Sequence, residues 1–182
     1  MKVSVYIATS VDGFIARENG DLDWLPGSRE GDSGEIGDED YGYQEFMDSV
    51  DVLVMGRNTY EAVLGFGQWP YGSKRVVVLS STPVQIPDGL AETVASRSCS
   101  PAELVKDLSK SGVTHLYIDG GKTIQGFLEA GLIDEITITR IPILIGNGIP
   151  LFGPLSTDSK LAHIETRSFD NGFVQSKYRV VK

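Results

Sequence analysis

The sequence has few of the features that tie a protein to a disulfide framework, a metal or a membrane. Its one cysteine, Cys99, cannot form a disulfide within the chain, and its polar neighbours give no reason to expect a reactive thiol. The two histidines, His115 and His163, belong to no cluster with metal-ligand spacing, so we expect no metal site. No apolar run approaches the ~20 residues of a membrane span.

Basic residues are also scarce. The chain has 16 lysines and arginines against 25 aspartates and glutamates, which gives a net charge of −9. Nucleic acids and anionic membranes need a basic protein surface, so we expect neither as a partner. Residues 1–6 lack the charged start, apolar core and cleavage site of a signal peptide, which favours a cytoplasmic protein.

What the chain does contain is a regular alternation of strand and helix patterns over 182 residues, the length of one ordinary domain. The segments 51–55 and 75–79 are apolar on both faces, as strands of a buried parallel sheet are. Near the C-terminus, Asp170-Asn171-Gly172 predicts a hairpin turn between two extended segments. The pattern therefore predicts a single α/β domain over residues 1–182, with a mostly parallel sheet and antiparallel strands at one side.

Two stretches give the strongest functional signal, because each is a strand that ends in glycine and turns into a helix. They are residues 55–61 and 117–123. Such a junction leaves backbone N–H groups pointing outward, and the helix dipole adds a positive potential that suits a phosphate. Arg57 and Lys122 supply a positive charge at the two junctions. The pair fits a dinucleotide with an additional 2′-phosphate, so NADP(H) is the leading candidate. A plain structural junction is the alternative for each stretch.

A further set of motifs follows in order over nearly the whole chain. A first group comprises Ala8, Ile15, Asn19-Gly20 with Trp24, the run from Gly56 to Glu61, Leu79-Ser80-Ser81 and Gly120-Gly121. A second group comprises the runs 10–13, 119–121 and 132–135, and Pro142 followed by the run 144–152. The first group resembles the dihydrofolate reductase superfamily. The second resembles its branch that contains the C-terminal reductase domain of the bifunctional riboflavin-pathway deaminase/reductase.

The resemblance implies a three-layer fold like that of dihydrofolate reductase, with a C-terminal antiparallel hairpin. It also implies hydride transfer from NADPH to a small heterocyclic, carbonyl or imine substrate of the 5-amino-6-ribosylaminouracil type. A genuine dihydrofolate reductase is the alternative among enzymes, and an NADP-binding protein without turnover is the alternative of another class. The zinc deaminase domain of the bifunctional protein has no counterpart in this sequence, so no deaminase activity is expected.

The same resemblance implies which residues would bind NADPH. The residues at the 2′-phosphate would be Arg57, Asn58, Ser80 and Ser81, next to Leu79. The residues at the pyrophosphate would be Gly56, Thr59, Gly120, Gly121, Lys122 and Thr123. Ala8 and Ile15 would hold the nicotinamide.

For the substrate, the resemblance indicates Asp12 as a catalytic acid and Trp24, Asp119 and Thr139 as contacts. The local sequence leaves simpler interpretations open. The Asp12-Gly13 pair is typical of a hairpin turn, and Asp119 can cap the turn between strand and helix.

The first predicted helix, around residues 41–47, departs from the folate reductases, which carry an acidic residue there that engages the pterin. Asp38, Glu39 and Asp40 come close in sequence but do not align with that position. We therefore expect a substrate other than a folate.

The segment from Ile141 to Phe152 is too apolar for one exposed strand and loop. Its large apolar residues are Ile141, Ile143, Leu144, Ile145, Ile149, Leu151 and Phe152. Because soluble monomers rarely expose such a patch, the segment predicts a homodimer paired through it. Folding of the segment over its own core is the alternative.

Overall fold

The structure, a computed structural model, describes residues 1–26 and 40–182. Its main sheet has eight strands in the order β5-β4-β3-β6-β1-β7-β10-β9, and β2 and β8 form a separate two-stranded ribbon. The strands are β1 Lys2–Ser10, β2 Phe14–Ala16, β3 Val52–Gly56, β4 Arg75–Leu79, β5 Val94–Arg97, β6 His115–Asp119, β7 Glu135–Ile141, β8 Ile149–Pro150, β9 Leu161–Ser168 and β10 Val174–Val180. The helices are α1 Tyr43–Ser49, α2 Arg57–Leu64, α3 Pro101–Lys110 and α4 Gly121–Glu129, with a short 3₁₀ helix at Asp88–Leu90.

The six strands from β5 to β7 run parallel, and β10, which lies between β7 and β9, runs in the opposite direction. Strand β10 lies antiparallel to both β7 and β9. The turn between β9 and β10 uses Gly172, whose φ of 83° is the left-handed conformation that glycine tolerates best. The predicted mixed sheet with a C-terminal antiparallel hairpin is therefore confirmed.

Two apolar cores, one on each face of the sheet, make the fold three-layered. Leu104 and Leu108 of α3 and Phe127 of α4 pack against one face. Met47 of α1 and Tyr60 of α2 pack against the other. Because helices cover both faces, central strands such as β3 can be apolar at every position, as the sequence predicted.

The β2–β8 ribbon closes one end of the sheet. The Asp12-Gly13 turn does follow β1, but it does not make a hairpin, because β2 pairs with the distant β8. Strand β1 instead lies between two parallel neighbours, β6 and β7. Asp38 and Glu39, which the sequence placed close to the first helix, lie outside the described residues.

The apolar segment 141–152 mostly packs against its own chain. Ile141 and Leu151 are buried, and Ile143 and Ile145 pack against a small cluster around Trp24. Leu144 and Phe152 stay exposed, at 70% and 44%. The structure therefore leaves a smaller apolar surface than the sequence suggested, and the homodimer stays a prediction.

Within the described part of the chain, no helix is long and apolar enough to cross a membrane. The same residues contain no group of three His, Cys, Asp or Glu side chains that could hold a metal ion.

Candidate functional site

A cavity of about 850 Å³ lies where β1, β3, β4 and β6 end. In open α/β sheets, ligands bind in this position, outside the carboxyl ends of parallel strands. All thirteen residues that the sequence predicted for cofactor binding line the cavity: Ala8, Ile15, Gly56, Arg57, Asn58, Thr59, Leu79, Ser80, Ser81, Gly120, Gly121, Lys122 and Thr123. The structure thus brings them together, and their contact with a cofactor stays a prediction.

Helices α2 and α4 both begin at this cavity, and neither has a side-chain cap. Gly56 and Gly120 are their N-cap residues and offer no side chain to the first-turn N–H groups. Helix N-termini leave such donors without a partner inside the helix, and an anion can satisfy them. The two junctions therefore provide two sets of phosphate-binding donors on one cavity.

The two helix starts are fitted to each other through glycine and threonine. A Cβ atom on Gly120 would overlap the side chain of Thr59, and one on Gly56 would lie 2.9 Å from Thr123 Oγ1. Gly120 also has a φ of 87°, which is unfavourable for other residues. The glycines therefore let the N-termini of α2 and α4 approach each other closely, as a ligand that contacts both would require.

Arg57 lies at the β4 side of the cavity. Its Nη1 atom donates to Thr82 Oγ1 at 2.7 Å, and its Nε atom lies 3.7 Å from Glu61. The Ser80 hydroxyl is engaged in a local turn, because it donates to the Thr82 carbonyl oxygen at 2.7 Å. Thr82, which sequence reasoning did not single out as a site residue, thus orients the guanidinium beside the serine loop.

At the opposite end, Ala8 and Ile15 bring β1 and the ribbon to the start of α4. A Cβ on Gly121 would lie 3.1 Å from Ile15 Cδ1 and 3.2 Å from the Pro150 carbonyl oxygen. The small residue at position 121 therefore leaves room for the ribbon to contact the second helix start.

Asp119, the last residue of β6, gives the cavity a carboxyl group. Oxygen Oδ1 accepts a hydrogen bond from the Gly120 N–H at 2.8 Å. Burial raises the pKa of this carboxyl to about 6, because the single backbone hydrogen bond compensates only part of the lost hydration. A carboxyl with a pKa of about 6 exchanges protons readily near neutral pH, as a general acid must.

Tyrosines surround this carboxyl. Tyr6, Tyr71 and Tyr117 line the same cavity, and burial raises the pKa of Tyr71 and of Tyr117, so both remain neutral near pH 7. Sequence reasoning missed all three. The alternation of side chains along a strand could have indicated Tyr6 and Tyr117, which stand two residues before Ala8 and Asp119. Tyr71 comes from a loop and has no comparable signal.

Trp24 lines the cavity and is 8% exposed, in a cluster with Ile141 and Phe173. Its indole N–H has no hydrogen-bond acceptor among the described residues.

Asp12 and Thr139 do not line the cavity. The Asp12 carboxylate accepts hydrogen bonds from the N–H groups of Ile145 and Gly146, at 3.3 and 2.8 Å. Ser10 and these backbone groups lower the pKa of this exposed carboxyl. Asp12 thus holds the turn that follows β7, which explains its position without a catalytic role, and that role stays untested.

Thr139 is buried in β7, where it pairs with Ala8. Its hydroxyl oxygen lies 3.0 Å from the amide nitrogen of Gln175, which also donates to Tyr6 Oη at 2.9 Å. Thr139 is therefore linked to the cavity through Gln175 and Tyr6, and its contact with a substrate stays a prediction.

The fold and the cavity define a protein of the dihydrofolate-reductase-like class. More particularly, the chain belongs to the family described as the RibD C-terminal domain, whose model matches residues 1–175.

Individual relatives agree with this assignment. The chain is 42% identical to a protein of Shewanella sp. PV-4 that was provisionally assigned to riboflavin biosynthesis; the two cover each other completely, with a TM-score of 0.89. It is 35% identical to the uncharacterized Bacillus subtilis protein YwjB, over 92% of each chain. A diaminohydroxyphosphoribosylaminopyrimidine deaminase/5-amino-6-(5-phosphoribosylamino)uracil reductase of Thermotoga maritima shares the fold, with a TM-score of 0.73 at 16% identity. That likeness covers 99% of this chain and 56% of the other.

Proposed function

We propose that the protein is an NADPH-dependent reductase of a small unsaturated heterocycle or a related carbonyl or imine compound. The observation that carries the proposal is the pair of uncapped helix starts at one cavity, with Arg57 at one end and Asp119 beside the second start. Riboflavin-pathway reductases among its relatives support the reaction class. A substrate of the 5-amino-6-ribosylaminouracil type is the starting hypothesis.

The residues present fit an NADP(H) molecule. Gly56, Gly120 and Gly121 leave the space that a Cβ would fill, and the first-turn N–H groups of α2 and α4 can donate to the pyrophosphate. Arg57 would pair with the 2′-phosphate through charge-assisted hydrogen bonds. When bound, the cofactor supplies the hydride.

Asp119 is the group that we assign to the proton. Reduction of a C=N or C=O bond adds a hydride to carbon and a proton to the heteroatom, and the protonated Asp119 carboxyl can donate that proton. Its pKa of about 6 implies that kcat/KM should fall as the pH rises above about 6. Flat or rising activity between pH 6 and 8 would assign the proton to another source.

The experiment is a parallel titration with NADPH and NADH, followed by a substrate panel with NADPH in excess. Binding is measured by fluorescence and turnover by the absorbance of NADPH. We expect tighter binding of NADPH and oxidation by at least one unsaturated heterocycle. Equal affinity for both cofactors would contradict the assignment of Arg57.

Two alternatives predict other outcomes of the same panel. A dihydrofolate reductase would reduce dihydrofolate, which we do not expect, because the acid of this cavity comes from β6 and not from α1. An NADP-binding protein without turnover would bind NADPH and oxidise it with no compound.

A homodimer through the segment 141–152 is part of the proposal, with Leu144 and Phe152 as its exposed apolar contacts. Light scattering should give twice the mass of the 19.7 kDa chain. Leu144→Glu should reduce it to that of one chain. A wild-type mass of one chain at micromolar concentration would end the dimer proposal. Cytoplasmic residence likewise stays a prediction.

A further inference from the structure

Three tyrosines line the cavity beside Asp119, and their hydroxyl groups differ in what they bind. Tyr117 donates its hydroxyl proton to the Tyr6 carbonyl oxygen at 2.8 Å, and Tyr6 donates its own to the Tyr41 carbonyl oxygen. Tyr71 makes no such bond to a described residue. Its hydroxyl proton is therefore available to a molecule in the cavity.

The position of Tyr71 is fixed by the loop that connects α2 with β4. The Trp69 ring lies edge-on to the Tyr71 ring, with centroids 5.1 Å apart, and edge-on to the buried Tyr60 ring of α2, at 5.9 Å. The Lys74 N–H donates to the Tyr71 carbonyl oxygen at 2.9 Å, and the Lys74 ammonium donates to two carbonyl oxygens at the C-terminal end of α1. A side chain held in this way loses little conformational entropy when it binds a ligand.

Tyr71 and Asp119 are close enough to interact but do not hydrogen-bond to each other. Burial raises the pKa of Tyr71, and the Asp119 carboxylate raises it further, which requires that the two groups lie near one another. Asp119 accepts a hydrogen bond at Oδ1 from the Gly120 N–H. Both side chains line the cavity, and Tyr71 is half-buried. A ligand at this end of the cavity can therefore contact the hydroxyl and the carboxyl together.

A hydroxyl group and a carboxyl group have different roles in a reduction by hydride. Reduction adds a hydride to the carbon of a C=N or C=O bond, the π electrons move to the heteroatom, and the heteroatom takes the proton of Asp119. Tyr71 keeps its proton, because its raised pKa holds the hydroxyl neutral. A hydrogen bond from this hydroxyl to a carbonyl oxygen conjugated with the reduced bond withdraws electrons from the carbon that accepts the hydride.

We propose that Tyr71 is a second catalytic residue of this reductase, whose hydroxyl donates a hydrogen bond to a carbonyl oxygen of the substrate. Asp119 supplies the proton to the bond that is reduced, so the substrate contacts both side chains. This role rests on the proposed function and narrows it, because it selects a heterocycle in which a carbonyl group is conjugated with the reduced bond.

Tyr71→Phe tests this role, because it removes the hydroxyl and keeps the ring that packs against Trp69. The variant is compared with the wild type, as full chains with saturating NADPH, on each compound that the wild type reduces. The first compounds are 5-amino-6-(5-phosphoribosylamino)uracil, its dephosphorylated nucleoside and dihydrofolate. We expect kcat/KM to fall by about 10- to 100-fold, because a hydrogen-bond donor to charge that develops in the transition state is lost. The affinity for NADPH should not change.

Tyr60→Phe is the matched control, because Tyr60 also contacts Trp69 but directs its hydroxyl to the Gln85 carbonyl oxygen, at 3.4 Å. This variant should keep the kcat/KM of the wild type. Tyr71→Phe should also keep the decrease of kcat/KM above about pH 6, since Asp119 remains. A lower kcat/KM with an unchanged pH profile separates the loss of the Tyr71 hydrogen bond from a disturbed Asp119.

If kcat/KM of Tyr71→Phe stays within about twofold of the wild type, the proposal is overturned and the proposed function stands. A comparable fall in Tyr60→Phe would also overturn it, because packing around Trp69 would then explain the loss. If the wild type binds NADPH but reduces no compound of the substrate panel, the proposed function fails, and the role of Tyr71 fails with it.

Discussion

Side chains of the protein accept hydrogen bonds from N–H groups at the starts of α1 and α3, whereas α2 and α4 face the cavity without such a side chain. At α3, Ser100 Oγ accepts from the Glu103 N–H at 3.3 Å, and Glu103 Oε2 accepts from the Ser100 N–H at 2.9 Å. At α1, the Asp40 carboxylate has the same function. Two helix starts are thus satisfied internally, and two are left for a ligand.

The same structural unit, a helix N-terminus, therefore stabilises the fold at α1 and α3 and is open to a ligand at α2 and α4. A side-chain cap typically stabilises a helix by about 1 kcal/mol, which α2 and α4 lack in the absence of a ligand. We therefore expect substitutions at the capped starts to change the free energy of unfolding, and substitutions at the open starts to change mainly affinity for NADPH.

Gly120→Ala should have the largest effect. The new methyl group would overlap Thr59 and would impose a φ of 87° on alanine. We expect the affinity for NADPH to fall by about 100-fold or more, which corresponds to ~2.7 kcal/mol. Fluorescence titration gives the affinity. Gly131→Ala is the control, because its φ is also positive but its Cβ would meet nothing within 4 Å. Affinity of Gly120→Ala within threefold of the wild type would show that the close approach is not needed for binding.

Arg57→Ala should rank second and should affect one cofactor only. Hydrogen bonds to charged groups contribute about 1.5–3 kcal/mol, so NADPH affinity should fall by about 10- to 100-fold while NADH affinity stays constant. Calorimetric titration with each cofactor gives the ratio. Arg75→Ala, at the other end of the parallel strands, is the matched control. An equal loss for NADPH and NADH would mean that Arg57 does not contact the 2′-phosphate.

Asp119→Asn, a substitution next to the open start of α4, should increase the free energy of unfolding of the protein. The folded-state pKa is raised to about 6 from 3.8, so the folded protein binds a proton that the unfolded chain has released. Stability of the wild type therefore falls as the pH rises from about 4 to 6 and does not recover above it. The variant should be more stable at pH 8 by on the order of 2 kcal/mol, after allowance for partial access of water.

Urea denaturation at pH 4 and pH 8 measures this difference, which should shrink at pH 4. The variant should also lose turnover, because asparagine cannot supply the proton. If the wild type were more stable than Asp119→Asn at pH 8, the ionised Asp119 carboxylate would not destabilise the folded protein.

Ser100→Ala should have the smallest effect, and it should change the free energy of unfolding and not the affinity for NADPH. Loss of the cap should lower the free energy of unfolding by about 1 kcal/mol, while the affinity for NADPH stays within error of the wild type. Thermal or urea denaturation with a parallel NADPH titration tests both parts. A marked loss of affinity would remove the distinction between capped and open helix starts.

Local sequence patterns predicted much of the fold. The first helix was predicted around residues 41–47 and spans Tyr43–Ser49 in the structure, because the spacing of apolar residues is a local signal. The ribbon was missed, because Ile149–Pro150 is too short to show a strand pattern and its partner lies more than 130 residues earlier. Pairing between distant segments leaves no such local pattern.

The same distinction separates the predicted and missed parts of the site. The glycines at 56 and 120 are visible in the sequence because each ends an apolar strand pattern and precedes a helix pattern. The setting of Asp119 is only partly visible, since Tyr117 lies two residues earlier on the same strand but Tyr71 comes from a separate loop. Asp12 was assigned to catalysis, whereas its hydrogen bonds to Ile145 and Gly146 span more than 130 residues and could not be read from its neighbours.

The reciprocal fit of glycine and threonine at the two helix starts has a consequence for sequence variation. Thr59 occupies the space above Gly120, and Thr123 occupies the space above Gly56. Each position is therefore constrained by a residue some sixty positions away, and not by its own neighbours. Among relatives, positions 59 and 120 should change together, as should 56 and 123, with a smaller partner wherever the glycine is replaced.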